Sequence, residues 1–198
     1  IINHLTNIGL EVEIIKEMIP HDKPVVLDIG CFRGDLLREL GRCYKSADLY
    51  GFDINEDFRS YFPDNEGVNF CSGDLSSINQ EFDIIILSAS IMYIKDISQL
   101  MSQIKRLLLP DGVVFIHVVD ISKNPYAILL GDQFYHYTPN ITKNLLSFHG
   151  FSFDIFKCDF FPKELLGFAV NNPEALSRAM ERDDTVSWCV NMINDKAI

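Results

Sequence analysis

The chain has 198 residues, with 17 Lys and Arg against 28 Asp and Glu, a formal net charge of −11. At 47% hydrophobic and 23% charged, its composition is that of a globular protein, long enough to bury a core without disulfides or metal. No apolar run reaches the ~18 residues of a membrane span, disorder does not fit this apolar content, and so acidic a chain does not suit binding along a phosphate backbone, which needs clustered Lys and Arg.

In chain order, Leu5 to Ile19 carries Ile8, Val12, Ile15 and Ile19 at helical spacing and predicts an amphipathic helix, ended at His21-Asp22-Lys23-Pro24. Val25 to Ile29 is a short apolar run and predicts a buried strand. Gly34 to Tyr44 returns to helical period through Leu37, Leu40 and Tyr44. Leu49 to Asp53 predicts a second strand, Asn55 to Phe62 a short helix, Val68 to Cys71 a third strand and Phe82 to Ser88 a fourth. Ile97, Leu100, Ile104 and Leu107 mark a helix closed by the turn Pro110-Asp111-Gly112, and Val113 to Val119 predicts the fifth strand. The stretch 122–137 reads as a short helix followed by a loop. Thr138 and Pro139 then cap a helix that buries Ile141, Leu145 and Leu146 and stops at Gly150. Phe151 to Cys158 and Leu165 to Val170 predict two more strands, and Asn172-Pro173 a C-terminal helical segment containing Trp188 and Val190. Alternation of continuous apolar strands with helices predicts an α/β protein, a doubly wound, mostly parallel sheet with helices on both faces. One domain over 1–198 is expected: an N-terminal helix (1–20), a ligand-binding core (25–120) and acceptor-side elements (121–198).

The five cysteines, Cys31, Cys43, Cys71, Cys158 and Cys189, are odd in number and scattered, with no metal-ligand spacing. They read as reduced thiols of a cytoplasmic protein, and no metal is expected. No basic stretch followed by a long apolar one marks a signal peptide. The chain opens on Ile1 rather than Met, which leaves a longer natural start open.

In open α/β sheets ligands bind beyond the carboxyl ends of the strands, where strand order reverses. The first strand runs into Asp28-Ile29-Gly30-Cys31-Phe32-Arg33-Gly34 and then a helix, and glycines at 30 and 34 let the backbone turn tightly against a ligand. Asp53 ends the second strand, where a carboxylate is suited to both hydroxyls of a ribose. The dinucleotide pattern G-x-G-x-x-G fails because position 32 is Phe, and the P-loop pattern is absent.

Val26 to Gly34 resembles motif I of the class I S-adenosylmethionine-dependent methyltransferases. Tyr50-Gly51-Phe52-Asp53-Ile54 resembles the family's ribose-binding acidic motif, and Ser72-Gly73-Asp74-Leu75 its adenine loop. Phe82 to Ser88 is similar to its fourth strand, and Leu107 to Val113 to the turn before the fifth. The resemblance implies a Rossmann-like seven-stranded sheet whose last strand is antiparallel, with S-adenosylmethionine as cofactor and S-adenosylhomocysteine as product. It implies cofactor contacts from Asp28, Gly30, Cys31 and Gly34 in motif I, Asp53 and Ile54 at the ribose, Asp74 and Leu75 at the adenine, and Ser88 near the sulfonium. The family often has Gly where Phe32 stands. The fourth strand runs into Ser88-Ala89-Ser90-Ile91 and lacks the Asn/Asp-Pro-Pro-Tyr signature of amino-directed nucleic-acid and protein-glutamine enzymes.

Methyl transfer is an in-line displacement at an activated sulfonium, so holding the acceptor in line supplies much of the catalysis, and a base is needed only if the nucleophile must lose a proton. Tyr93 after the fourth strand and His136 in Gln133-Phe134-Tyr135-His136-Tyr137 are the catalytic candidates. Asp132 and His136 loosely fit a D-x-x-x-H-[YF]-[TS] stretch of related glycan-pathway methyltransferases, so the expected partner is a small-molecule acceptor such as a sugar or glycan intermediate, with no nucleic acid and no membrane. His117, alternating within the apolar fifth strand, reads as a satisfied core histidine. The rival reading is a non-catalytic cofactor-binding interaction or regulatory domain. A homodimer through the C-terminal segment stays open.

Overall fold

The computed structural model describes residues 2–19, 21–63, 67–156 and 161–172. The expected C-terminal segment, with Trp188 and Val190, lies outside them, as do Cys158 and Cys189.

Helix α1 (Ile2–Met18) precedes strand β1 (Val25–Ile29), helix α2 (Asp35–Cys43) and strand β2 (Asp48–Asp53). Strands β3 (Val68–Ser72) and β4 (Phe82–Ser88), helix α3 (Ile97–Leu107) and strand β5 (Leu108–Val119) follow. Helix α4 (Pro139–Phe148) leads to strands β6 (Ser152–Phe156) and β7 (Glu164–Val170). The expected helix at 55–62 is a 3-10 helix, Glu56–Tyr61, whose cap Asn55 accepts from the Asp57 amide. The ambiguous 122–137 stretch holds a 3-10 turn, Pro125–Leu129, and then a loop.

The seven strands form one sheet in the order β3-β2-β1-β4-β5-β7-β6. Pairs from β3 to β5 are parallel, whereas β7 runs antiparallel to both β5 and β6. Strand order reverses between β1 and β4, so the ligand crevice of an open sheet falls there. Strand β5 begins earlier than its hydrophobic run: Phe82 pairs with Leu108, but Ile84 pairs with Val113. The expected turn at Pro110-Asp111-Gly112 is therefore a bulge inside the strand, since the extra residues on one side of a ladder must loop out.

Side chains alternate across a strand, and both sheet faces are covered, so odd and even positions are both apolar. Val26, Ile84, Ile86, Val113 and Phe115 pack with α1 and α2. Leu27, Ile85, Leu87, Val114 and Ile116 pack with α3 and α4. On α1, Ile8, Val12 and Ile15 are buried as their spacing predicts, and so is Ile19 just after it. Glu11, one turn from Ile8 and Ile15 on that same face, is buried with them.

The same alternation decides where four polar residues go. Asp28 follows Val26 by two positions, Ser88 follows Ile86, and His117 follows Phe115, so all three stand at carboxyl ends of parallel strands on the α1 face. Because β7 is antiparallel, its first residue, Glu164, reaches the same end, paired with Val119.

Candidate active site

Two cavities open at the carboxyl edge of the sheet. The larger, about 770 Å³, runs past the ends of β1, β2 and β4 and is walled by Gly30, Asp53, Ile54, Asp74, Leu75 and Tyr93. The smaller, about 340 Å³, lies toward α1 and includes Glu11, Asp28, Cys31, Ser88, His117 and Glu164 in its wall. They meet at Gly30, Phe32 and Ala89, which line both.

The junction is tightly built. A Cβ at Gly30, where φ is +81°, would stand 2.5 Å from the Ser90 Cβ, so no larger residue fits the turn. Phe32 and Ala89 are the described non-glycine residues with positive φ, at 50° and 51°. Such conformations cost free energy and concentrate at functional sites. Phe32 leans edge-on against Phe58 and carries the Arg33 guanidinium over its ring, 5.0 Å from the centroid.

Asp53 holds the turn with both oxygens. Oδ2 accepts from the Phe32 amide at 3.1 Å and Oδ1 from the Asn55 amide at 3.0 Å. A carboxylate has about four acceptor sites, so lone pairs remain for a ligand in the cavity. Asp74 caps the 3-10 turn Leu75–Ser77, accepting from the Ser76 amide at 2.8 Å. That bond, with further help from the Ser76 hydroxyl and Arg106, holds its carboxyl below the usual carboxylate range. It is both the turn residue and part of the cavity wall. Tyr93 ends the 3-10 turn Ile91–Tyr93 and is 45% exposed. The Phe134 amide donates to the Met92 carbonyl at 2.9 Å and so draws the Phe134 side chain into the cavity wall.

Several expected site residues stand elsewhere. Asp28, Cys31 and Ser88 line the smaller cavity, not the larger one that holds Asp53 and Asp74. Gly34 lines neither: at φ +78°, its added Cβ would lie 2.3 Å from the Phe62 ring, which makes it a packing position between turn and core. His136 lines neither cavity, and its Nδ1 is buried with no hydrogen-bond partner among the described residues. Asp120, at 1% exposure, is used by the Ser122 amide and hydroxyl.

His117 is more than a core histidine. Nδ1 pairs with Glu11 and Nε2 with Glu164, and Glu11 also accepts from the Ser88 hydroxyl at 2.9 Å. Burial opposes charging of the ring, but the hydrogen bonds and charges of Glu11 and Glu164 outweigh it and push His117 up to about 9. The ring is an imidazolium at neutral pH. Asp28 is pushed up to about 8, first by burial and then by the charges of Glu11 and Asp53. Burial, followed by Asp28 and Asp53, also holds the Cys31 thiol above its ordinary value, so it is not a ready nucleophile. The sequence reading passed over Glu11 and Glu164. The available signal was a Glu on the apolar face of α1, and a Glu opening the alternating run of β7.

A family profile described as a methyltransferase domain matches residues 12–163. The chain belongs to that family, and with this fold it is a class I S-adenosylmethionine-dependent methyltransferase domain. The plantazolicin methyltransferase BpumL, solved with a triazolic desmethylPZN analog and S-adenosylhomocysteine, superposes with a TM-score of 0.70 at 18% identity, covering 83% of this chain and 84% of that one. Human N-acetylserotonin methyltransferase, solved with S-adenosylmethionine, gives 0.67 at 20% identity over 86% of this chain and 54% of that one. Malonyl-[acyl-carrier protein] O-methyltransferase of Acinetobacter baylyi is 25% identical over 89 residues, 44% of this chain, and the match spans 35% of that enzyme's length.

The cofactor these neighbours hold is S-adenosylmethionine or its product, and the larger cavity suits it on three counts. Asp53 keeps free lone pairs at the end of β2. Ser90 Oγ, in the wall, is buried without a hydrogen-bond partner among the described residues. Gly73, at φ +91°, has open space where a Cβ would stand, leaving backbone accessible to a planar base. Among the described residues, no group of three or more His, Cys, Asp and Glu is arranged to hold a metal ion, and no helix is long and apolar enough to cross a membrane.

Proposed function

We propose that this chain moves a methyl group from S-adenosylmethionine to a small-molecule acceptor. The observation that carries the reading is Asp53. Its carboxylate stands at the end of β2, beside the strand-order reversal, bonded to the amide of Phe32 in the glycine turn and facing a cavity of ligand size. Bound there, the cofactor supplies a methyl group already activated on a sulfonium. The chain's residues bind and orient. Asp53 accepts from the ribose hydroxyls, Asp74 and the Leu75 backbone meet the adenine, Ile54 covers the sugar, and Gly30 gives close approach to the turn. Tyr93, at the mouth of the same cavity, is placed to contact ligand and exclude water.

A small-molecule acceptor agrees with cavities of ligand size and with a net charge of −11, which disfavours nucleic acid. The narrower sugar or glycan reading rests on Asp132 and His136 alone, and neither lines the two cavities. The test is calorimetric titration of the chain with S-adenosylmethionine and S-adenosylhomocysteine. Micromolar binding is expected, with NAD inert. No binding by folded protein would remove the reading and favour a domain that does not use this cofactor.

A further inference from the structure

We infer that the acceptor is a neutral molecule with an apolar body larger than a single ring, and that it lies on an exposed platform of Tyr126, Leu129, Leu130 and Phe134 at the β4–β5 side of the larger cavity. The inference rests on the methyltransferase reading of that cavity.

Topology is the first argument. Asp53 and Asp74 follow β2 and β3, on one side of the strand-order reversal, and the nucleoside is read there. Tyr93 follows β4 and the 121–137 loop follows β5, on the other side. Both reach the same cavity, through Tyr93 and Phe134. A molecule standing beside the cofactor on that side therefore meets these two rings first, and that molecule is the acceptor.

What the loop exposes is the second. Its 3-10 turn, Pro125–Leu129, buries Ala127 and turns larger apolar side chains outward. Tyr126, Ile128, Leu129, Leu130 and Phe134 are each between 53% and 78% exposed. Among the described residues, six of the twelve exposed large apolar side chains fall between positions 126 and 135. Such side chains scattered singly are ordinary, but gathered in one place they mark a binding surface. The platform is also fastened to the cavity wall. The Leu130 amide donates to the Ala127 carbonyl at 3.1 Å, the Phe134 amide to the Met92 carbonyl at 2.9 Å, and the Tyr135 hydroxyl to the Lys95 carbonyl at 2.8 Å. A surface fixed in advance costs less to order on binding.

Charge decides the chemistry. From 124 to 137 the one charged side chain is Asp132, in a chain that is 23% charged. Lys95 and Asp96, in the wall beside Tyr93, are of opposite sign. Lys123, just before the turn, lies 3.9 Å from Asp120. A charged acceptor laid on this platform loses hydration and gains no partner there, whereas a neutral apolar one gains by removing its own surface and the platform's from water. A second copy of the chain is disfavoured as occupant, because each copy carries a net charge of −11.

The test uses three probes: 2-naphthol, 2-naphthoate and phenol. Each is titrated calorimetrically at pH 7 into the full chain saturated with S-adenosylhomocysteine. 2-Naphthol is expected to bind at least about tenfold more tightly than phenol, which lacks the second ring, and than 2-naphthoate, which carries charge. Leu129→Ser/Leu130→Ser is expected to weaken 2-naphthol about tenfold. It should leave S-adenosylhomocysteine affinity within about twofold and the melting temperature within about 3 °C, since both side chains face solvent. Equal affinities for the three probes, no 2-naphthol binding at millimolar concentration, or undiminished binding by the variant overturns the inference. So does a variant that melts much lower or fails to fold, or a wild-type dimer that the variant abolishes, because protein then covers the platform. The wild-type titrations decide without any variant. S-adenosylhomocysteine bound with no 2-naphthol preference overturns this inference alone. No S-adenosylhomocysteine binding overturns the cofactor reading, and with it the role of the platform as an acceptor site.

Discussion

His117 on β5 and Glu11 on α1, 106 positions apart in sequence, meet as an imidazole–carboxylate pair that pins the N-terminal helix to the carboxyl edge of the sheet. Glu164 closes the other side of the ring. The pair is buried, so its energetics differ from those of a surface ion pair: breaking it leaves a buried donor unmet and the imidazolium to Glu164 alone.

The first consequence is a pH dependence of stability. His117 ordinarily titrates near 6.5 and is raised to about 9 in the fold. Its contribution is fully present below the unfolded value and is lost as pH rises through the folded one, on the order of 3 kcal/mol for this shift. Asp28, raised from 3.8 to about 8, acts in the same direction, because the folded state holds a proton that the unfolded state releases. Urea denaturation midpoints are therefore expected to fall steadily between pH 6 and pH 9. A flat or rising profile would contradict the imidazolium assignment.

Removing the partner tests the same cluster differently. Glu11→Ala strips His117 of one carboxylate and leaves the Ser88 hydroxyl without its acceptor. A loss of about 1–3 kcal/mol is expected for the buried donors left unmet, since Glu164 still balances the imidazolium. The decline in stability from pH 6 to 9 should also become shallower. Both are read from one set of denaturation curves.

The sheet makes a prediction through its glycines. A Cβ at Gly167 in β7 would stand 2.4 Å from the Asp154 carbonyl oxygen and 2.6 Å from the Phe153 ring. A backbone oxygen in a ladder cannot step aside, so Gly167→Ala should cost about 3 kcal/mol or more, at or above the usual range for overpacking. At Gly131 an added Cβ meets nothing within 4 Å, and Gly131→Ala should stay within about 0.5 kcal/mol of the parent. Thermal melts of the two variants give the comparison.

The parallel core was readable because its strands are continuous apolar runs separated by helices whose caps are written in the chain. Thr138 and Pro139 open α4 as their chemistry predicts, with the Thr138 hydroxyl accepting from the Ile141 amide. The glycine turn and Asp53 were readable for a similar reason, since each sits at a fixed offset from an apolar strand. The polar cluster was not read, although strand alternation alone sends Asp28, Ser88 and His117 to one face. What places Glu164 beside them is the reversed direction of β7, a long-range fact that no local period carries, and Glu11 joins only when α1 docks. Gly34 faces Phe62 and His136 stands beside the two cavity walls, placements that spacing does not carry, because it cannot tell a glycine that faces a ligand from one that faces a ring.

The central claim is that Asp53 anchors the cofactor, and the most direct measurement is calorimetric binding of S-adenosylmethionine to the wild-type chain and to Asp53→Ala. Loss of the charged hydrogen bonding to the ribose, worth about 1.5–3 kcal/mol in all, should weaken binding by about 10–150-fold, with the variant still folded by circular dichroism. Unchanged affinity in a folded Asp53→Ala protein, or no binding by the wild type, would contradict the account.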